Sequence, residues 1–405
     1  MKITRGYKTE LDLNQKQTTL CLKHAGTARF AFNWGLAKKI EAYKAGQKAP
    51  SAIDLHRELN RLKQTELQWM YEVSKCAPQE ALRDVDKAYK RFFQRVELKK
   101  QGKYKGKLGF PKFKKKSKGI GSFRLTGSIK VFSDAIQLPR LGRLRLKEHD
   151  YLPVCDVHIL SATVSEQAGR WYVSLQVERD IPEPVNTKVS AIGIDLGITT
   201  LATCSDKVTF ANPKALKSQL KKLKKLQRSH SRKQKGSKNK EKSRRKLAKL
   251  HARIAHIRKD ALHKFTSHVC KNHAHIGIED LHVAGMLKNH HLAQAISDAS
   301  FGGIRRQLTY KAQWYGTHLV VIDRFYPSSK TCSVCGYVLE KLDLKARIWT
   351  CPNCQTVHYR DDNASKTVLA ASSVERLNAC GAASSGYLVT GSETSRVEAR
   401  TEHHL

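Results

Sequence analysis

Four cysteines constrain this chain more than any other feature of its sequence. Cys332, Cys335, Cys351 and Cys354 form two C-x2-C knuckles separated by fifteen residues. Each knuckle turns two thiols toward one point, and two knuckles at this separation present four thiolates to one tetrahedral Zn2+. Gly336 and Asn353 suit the tight turns that the knuckles need. The competing reading is two buried or redox-active cysteine pairs. Four thiolates leave no open coordination position, so the expected zinc is structural and folds a module with little apolar core of its own. Cys21, Cys76, Cys155, Cys204, Cys270 and Cys380 are scattered and read as small hydrophobic residues. Ten cysteines in 405 residues are too few for a disulfide-stapled secreted scaffold.

Charge narrows the partners. Lysine and arginine number 75 against 35 acids, a formal net charge of +40. Such an excess disfavours the compact state and attracts phosphate backbones, which puts nucleic acid ahead of an anionic membrane face. The longest apolar runs, such as Leu319–Ile322, fall far short of a membrane span, and Met1–Leu20 has no continuous apolar core for a signal peptide. The expectation is a soluble, cytoplasmic protein with no membrane partner and no small-molecule cofactor, built as two or three domains.

Local patterns divide the chain. Asn14 followed by Gln17 has the form of a helix start, and Leu20, Ala25, Ala28, Phe32, Leu36 and Ile40 continue a helical stripe that Gly46 stops. Ile53–Leu62 and Gln79–Val96 read as further helices. The lysine- and glycine-rich stretch 99–118, with Phe110 and Phe113, is either a solvated linker or a loop whose rings stack on bases while its ammonium groups meet phosphates. Alternation then replaces the helical period. Ile129 and Val131, Ile136 and Leu138, Leu144 and Leu146, and Trp171 to Val177 predict short antiparallel strands of a small barrel or sandwich. Pro182 and Pro184 mark a boundary.

Beyond it, Val189–Ile194 reads as a buried strand ending at Asp195, and Ala274–Ile278 as another ending at Glu279. Leu201–Cys204 and His318–Ile322 read as strands, and Asp361, Asp362 and Asn363 open a helix. From about residue 371 the composition loses periodicity, and disorder is expected. Residues 214–259 hold twenty lysines and arginines with Glu241 as the one acid. Leu216, Leu220, Leu223 and Leu226, then Leu247, Leu250, Ile254 and Ile257, keep helical spacing on either side of Gly236. A solvated face would mix its charge signs; a one-signed hairpin favours phosphate contact through Lys221, Lys224, Arg228, Arg232, Arg244 and Arg245.

A carboxylate at the end of a buried strand is unusual, and two such acids with Asp361 could meet in a mixed α/β fold. Taken singly, each acid is more often a cap or a surface charge. Together they would need divalent cations, and two ions can orient both the attacking water and the leaving oxygen in phosphodiester cleavage.

The chain resembles the TnpB family, RNA-guided nucleases encoded by many bacterial and archaeal insertion sequences and related to type V CRISPR effectors. The resemblance rests on Gly193-Ile194-Asp195-Leu196-Gly197, Ile278-Glu279-Asp280-Leu281, the stretch from Tyr326 to Gly336, Trp349 to Cys354, and His358-Tyr359-Arg360-Asp361-Asp362-Asn363-Ala364. Tyr359 stands where the family often has aspartate, and Thr367 where asparagine is common.

The resemblance implies a mixed α/β, multidomain protein. A ribonuclease H-like (RuvC) nuclease fold carries an inserted zinc ribbon and follows a small β-barrel (wedge) domain with a helical recognition insertion. It divides the chain into a first wedge part and helix at 1–46, the recognition insertion at 47–108, and the second wedge part at 109–184. The nuclease follows at 185–325, with the hairpin at 214–259, the zinc ribbon at 326–357, the last nuclease part at 358–370 and a disordered tail at 371–405. It implies Asp195, Glu279 and Asp361 as ligands of catalytic Mg2+, or of Mn2+ in its place. Lys75 and Gln79 are implied readers of a short DNA motif beside the target. The implied partners are a guide RNA from the element's end and target double-stranded DNA, in a bacterial or archaeal cytoplasm at the nucleoid. The guide supplies sequence by pairing, and the protein reads backbone shape. Two alternatives are a nuclease-inactive RNA-guided DNA-binding regulator and a transposase acting directly in strand transfer.

Overall fold

The computed structural model describes residues 2–382, apart from 183, 185–187 and 344. The chain divides into two compact units, one ending at Ile181 and the next beginning at Pro182.

In the first unit, strand β1 (Lys2–Asp12) leads into helix α1 (Gln15–Lys44), then α2 (Ala52–Gln64) and α3 (Cys76–Lys100). Strands β2 (Ser122–Leu125), β3 (Lys130–Val131), β4 (Ala135–Leu138), β5 (Gly142–Leu146), β6 (His158–Gln167) and β7 (Arg170–Asp180) follow. The expected start of α1 is a capping box: the Gln17 amide donates to Asn14 Oδ1 at 2.8 Å, and the Asn14 amide donates to Gln17 Oε1 at 3.1 Å. Ser51 and Asp54 cap α2 in the same way.

All seven strands form one antiparallel sheet in the order β2-β6-β7-β1-β5-β4-β3. Where a small barrel or sandwich of antiparallel strands was expected, β2 and β3 end this ladder and, among the described residues, do not pair with each other. The long β1, central in the sheet, carries only a weak apolar alternation at Ile3 and Leu11 and is invisible to a search for apolar runs. The helices have no core apart from the sheet. Leu36, Leu55, Leu82 and Val85 lie in one buried cluster with Leu125, Leu144, Val173 and Leu175.

The second unit opens with β8 (Ala191–Leu196), β9 (Thr200–Cys204) and β10 (Thr209–Ala211). The basic hairpin is α4 (Ala215–Ser231) and α5 (Lys238–Asn272), whose second arm runs past the expected end at residue 259. Then come β11 (His275–Glu279), α6 (Val283–Met286), α7 (Ala293–Ala299), α8 (Phe301–Tyr315), β12 (His318–Ile322), the short hairpin β13 (Ile348–Thr350) and β14 (Val357–Tyr359), and α9 (Arg360–Ala382). Residues 371–382 are therefore helical and not a disordered tail; residues 383–405 lie outside the described residues.

The sheet order is β10-β9-β8-β11-β12, with β8, β11 and β12 parallel and β8-β9-β10 antiparallel. Side chains alternate across a strand, so Ile192 and Ile194 share one face, as do Ile276 and Ile278. That face packs against Leu262, Phe265 and Val269 of α5 and Ile304 and Leu308 of α8. The opposite face carries Gly193 and Gly277, Cα partners in the β8–β11 ladder. A Cβ on Gly193 would stand 2.1 Å from Ser365 O and 2.5 Å from Leu369 N, and one on Gly277 would stand 2.5 Å from Ser372 Oγ. Two missing side chains thus let α9 lie with its backbone against the sheet.

Candidate functional site

The glycines also locate the acids. Asp195 is two residues beyond Gly193 and Glu279 two beyond Gly277, so both acids belong to the face that α9 covers. Parallel pairing of Gly193 with Gly277 and of Ile194 with Ile278 carries the two acids to the same end of neighbouring strands, ~4.8 Å apart in backbone spacing. Helix α9 begins at Arg360, which places Asp361 in its first turn at that end. The three predicted acids meet electrostatically. The carboxyl of Asp195 is pushed up to about 7, first by loss of solvent around it and then by repulsion from Glu279 and Asp361, with Arg360 opposing.

Neighbouring acids are routed elsewhere. Asp280 is bound by Arg324 and then Arg305, which hold its carboxyl below the usual range. Asp362 accepts from Lys366 Nζ at 2.8 Å, one helical turn on. Around the three acids, Ser328 donates its hydroxyl to Glu279 Oε1, and Arg347 Nη1 lies 3.7 Å from Asp361 Oδ1. Sequence reasoning passed over both residues. The glycine two residues before each strand acid was the signal for the face, but no spacing rule points to Ser328.

The four cysteines fit zinc. Their sulfurs lie within 4.8 Å of one another, with Cys332–Cys354 and Cys335–Cys351 each at 3.6 Å. Tetrahedral Zn–S bonds of about 2.3 Å put sulfurs about 3.8 Å apart. Among the described residues this is the one such group; the three carboxylates are not drawn to that spacing. Hydrogen bonding from Asn353 and the Tyr337 amide lowers the Cys335 thiol to about 6, favouring the thiolate that a metal takes. Burial pushes Cys332 up to about 11, and His358 Nε2 lies 3.0 Å from its sulfur. Trp349, Cys332 and Cys351 form a small buried cluster.

On the hairpin, Leu223, Leu250 and Ile254 form an apolar seam between the arms, leaving Lys221, Lys224, Arg228 and Arg232 exposed. Arg244 and Arg245 are exposed too, but both bind Glu241, at 2.8 and 3.1 Å. Asp298 of α7 anchors the hairpin's start, accepting from the Leu216 amide at 2.9 Å and from Arg258 at 2.8 Å. In the first unit, Lys75 and Gln79 open α3 one turn apart, on one side of the helix. In the stretch 99–118, Phe110 packs edge-on against Tyr89 and Phe92, at 5.6 and 5.3 Å, yet both it and Phe113 remain exposed.

Known proteins resemble this chain in sequence and in fold. Residues 163–290 match a family described as a probable transposase, 301–368 a Cas12f1-like TNB domain, and 1–48 a helix-turn-helix domain, where the structure has one strand and a single long helix. A "Putative RNA-guided DNA endonuclease" of Streptomyces pristinaespiralis is 38% identical, over 94% of this chain and 92% of its own length. The Escherichia coli K12 protein named "Putative RNA-guided DNA endonuclease InsQ" is 32% identical over 94% and 95%. A solved Cas12f1–sgRNA–target DNA complex aligns with a TM-score of 0.53 at 13% identity, over 91% of this chain and 98% of that one. The mini-RNA-guided endonuclease CRISPR-Cas_phi3 aligns at 0.50 with 8% identity.

The chain thus has a mixed α/β, multidomain fold resembling that of the Cas12f and Cas-phi nucleases, with a four-cysteine cluster set into it. Within that class, its full-length relatives place it in the TnpB family of insertion-sequence proteins, to which it belongs. Among the described residues no helix is long and apolar enough to cross a membrane.

Proposed function

We propose that this chain is an RNA-guided DNA endonuclease of insertion sequences that hydrolyses DNA phosphodiester bonds at a RuvC-like site. The observation that carries the reading is the placement of Asp195, Glu279 and Asp361 at one end of a β10-β9-β8-β11-β12 sheet, the strand order of a ribonuclease H-like fold. Three repelling carboxylates in a strongly cationic protein are suited to divalent cations, Mg2+ or Mn2+. Bound there, such ions would polarise the scissile phosphate and lower the pKa of the attacking water.

The chain's own residues do the rest. Asp195 and Glu279 hold the metal-facing edge from the strands, and Asp361 closes it from the start of α9. The exposed hairpin cations track phosphates of guide RNA or target DNA, and a structural Zn2+ holds the ribbon whose base reaches α9. Residues 2–181 form the wedge and recognition part, with Lys75 and Gln79 reading the motif beside the target. The nuclease-inactive regulator is not favoured, because none of the three acids is missing. Strand transfer is not favoured beside relatives named as RNA-guided endonucleases.

The test uses the RNA that copurifies with the protein. Its pairing segment is matched to a plasmid library carrying a randomised stretch beside the target. Cleavage that needs that RNA, one flanking sequence and a divalent metal supports the reading. Cleavage without RNA, or binding without cleavage at any Mg2+ concentration, overturns it.

A further inference from the structure

Resting on the reading that Asp195, Glu279 and Asp361 hold the catalytic metal, we infer that Ser328 is the positioning residue of that site. It fixes one oxygen of Glu279 so that the other is left for a metal ion. Ser328 stands just before the first zinc knuckle and is buried, at 7% exposure. Its hydroxyl donates to Glu279 Oε1. Its own position is set on two sides: its amide donates to Tyr326 O at 2.9 Å, and its carbonyl lies 2.8 Å from Thr367 Oγ1 of α9. Thr367 is buried at 2% exposure and shares its single proton between Ser328 O and Ala364 O.

The same short segment grips α9 a second time. Asn363, two residues after Asp361 and 1% exposed, donates from Nδ2 to Thr331 O at 2.7 Å and accepts from the Ser333 amide at 2.9 Å. The base of the ribbon therefore touches the strand acid through Ser328 and the helix acid's own turn through Asn363. A glutamate has three side-chain torsions to fix before it can serve as a ligand, and a buried hydroxyl bonded to one oxygen removes that freedom in advance. Because Glu279 and Asp361 come from separate elements and both repel Asp195, a shared clamp keeps their separation constant. Outer partners of this kind typically change metal affinity or activity by about 10- to 100-fold.

The experiment measures cleavage by the protein–guide RNA complex against Mg2+ concentration. Alongside it, the Mg2+-dependent rise in melting temperature of the same complex is followed without target. For Ser328→Ala we expect half-saturation in both readouts to move upward by about 10-fold or more. The rate at saturating Mg2+ should return to near the parent's, with zinc content and RNA retention unchanged. Ser328→Thr, which keeps the hydroxyl, should restore the parent's Mg2+ dependence. Thr367→Val, which frees the Ser328 carbonyl, should give a smaller shift in the same direction, and it decides the matter if Ser328→Ala loses zinc or RNA.

A parental Mg2+ dependence in Ser328→Ala, or a drop in the saturated rate alone, overturns the inference. Full cleavage and full Mg2+ response in Glu279→Ala would instead overturn the proposed site itself.

Discussion

The second unit contains two groups of side chains of the kinds that can bind metals, four thiols and three carboxylates, and they are assembled in opposite ways. The four thiols come from a segment of 23 residues, Cys332 to Cys354, and stand within 4.8 Å of one another. The three carboxylates come from β8, β11 and α9 and are not drawn to that spacing; burial first, and then repulsion from Glu279 and Asp361, push Asp195 up to about 7. Thiols are neutral until a metal or hydrogen bonds ionise them, so knuckles can gather them locally. Carboxylates are charged at neutral pH and must be forced together by a rigid sheet and helix. A local cluster announces itself in spacing; a distributed one is a property of the fold.

The largest expected effects fall on the distributed cluster. Asp195→Ala, Glu279→Ala and Asp361→Ala should each lower guide-dependent cleavage by about three orders of magnitude or more while RNA binding persists, since each removes a ligand and none alters the cationic surface. Asp362→Ala, whose partner is Lys366, should cost less than about threefold. Equal losses at Asp361 and Asp362 would break the assignment of the site.

Removing zinc should act across both clusters, whereas removing Mg2+ should act on one. Purified protein is expected to hold about one zinc per chain. Cys351→Ser should lose it, lower the melting temperature and weaken cleavage, because the Ser333 amide of the first knuckle bonds Asn363 beside Asp361. Chelation of Mg2+ alone should leave zinc content and the fluorescence of buried Trp349 unchanged. Zinc loss without any effect on cleavage would show the two clusters to be independent.

Gly193→Ala tests the force that gathers the acids. The added Cβ meets backbone atoms of α9 at 2.1 and 2.5 Å, and rigid backbone cannot move aside as a side chain would. A destabilisation on the order of 3 kcal/mol, with cleavage falling further than zinc content, is expected from urea unfolding and metal analysis. A parental unfolding midpoint would mean that α9 does not sit on the sheet as described.

The pH dependence is smaller. The Asp195 carboxyl titrates near 7 in the folded chain against 3.8 for the ordinary group, so the folded state holds a proton that the unfolded state has released. Its contribution to stability is therefore fully present below about 3.8 and is lost as the pH rises through 7. Metal-free protein should melt lower at pH 8 than at pH 6 on this account, and Mg2+ should raise the melting temperature more at pH 8. The Asp195→Asn variant should flatten that difference.

The hairpin gives the smallest effects and the third kind of arrangement, charge without a cluster. Neutralising Lys221, Lys224, Arg228 and Arg232 should reduce the log–log salt slope of nucleic-acid binding by about 0.7 to 0.9 per lost phosphate contact. Neutralising Arg244 and Arg245 should reduce it less, because Glu241 already binds both, and target choice should not change. A parental slope in the first variant would assign those cations to solvent.

Much of the second unit was legible. The strands that carry Asp195 and Glu279, the leucine seam of the hairpin and the helix holding Asp361 follow from apolar periodicity and sharp breaks, although β8 runs from Ala191 to Leu196, one residue past Asp195, and α9 begins at Arg360, one residue before Asp361. The first unit was less so. The central strand β1 interleaves Arg5, Lys8 and Glu10 with its few buried residues, and its pairing with β7 is a long-range choice that no local pattern fixes. The open edge of that sheet was likewise invisible, since turns that close a barrel and turns that leave a ladder open have the same composition.

By itself the sequence determined what each local segment can do. Two knuckles must bind a metal or pair their thiols, Asn14 with Gln17 must start a helix, and a one-signed hairpin must meet a polyanion or repel itself. Which acids face one another was decided by the tertiary structure alone. Asp280 and Asp362 are carboxylic acids like the residues before them, but the pleat and the helical turn aim successive side chains in different directions. Arg305, Arg324 and Lys366 take the one set. The closeness of α9 to a sheet that has glycine at 193 and 277 carries the other set to one end of that sheet.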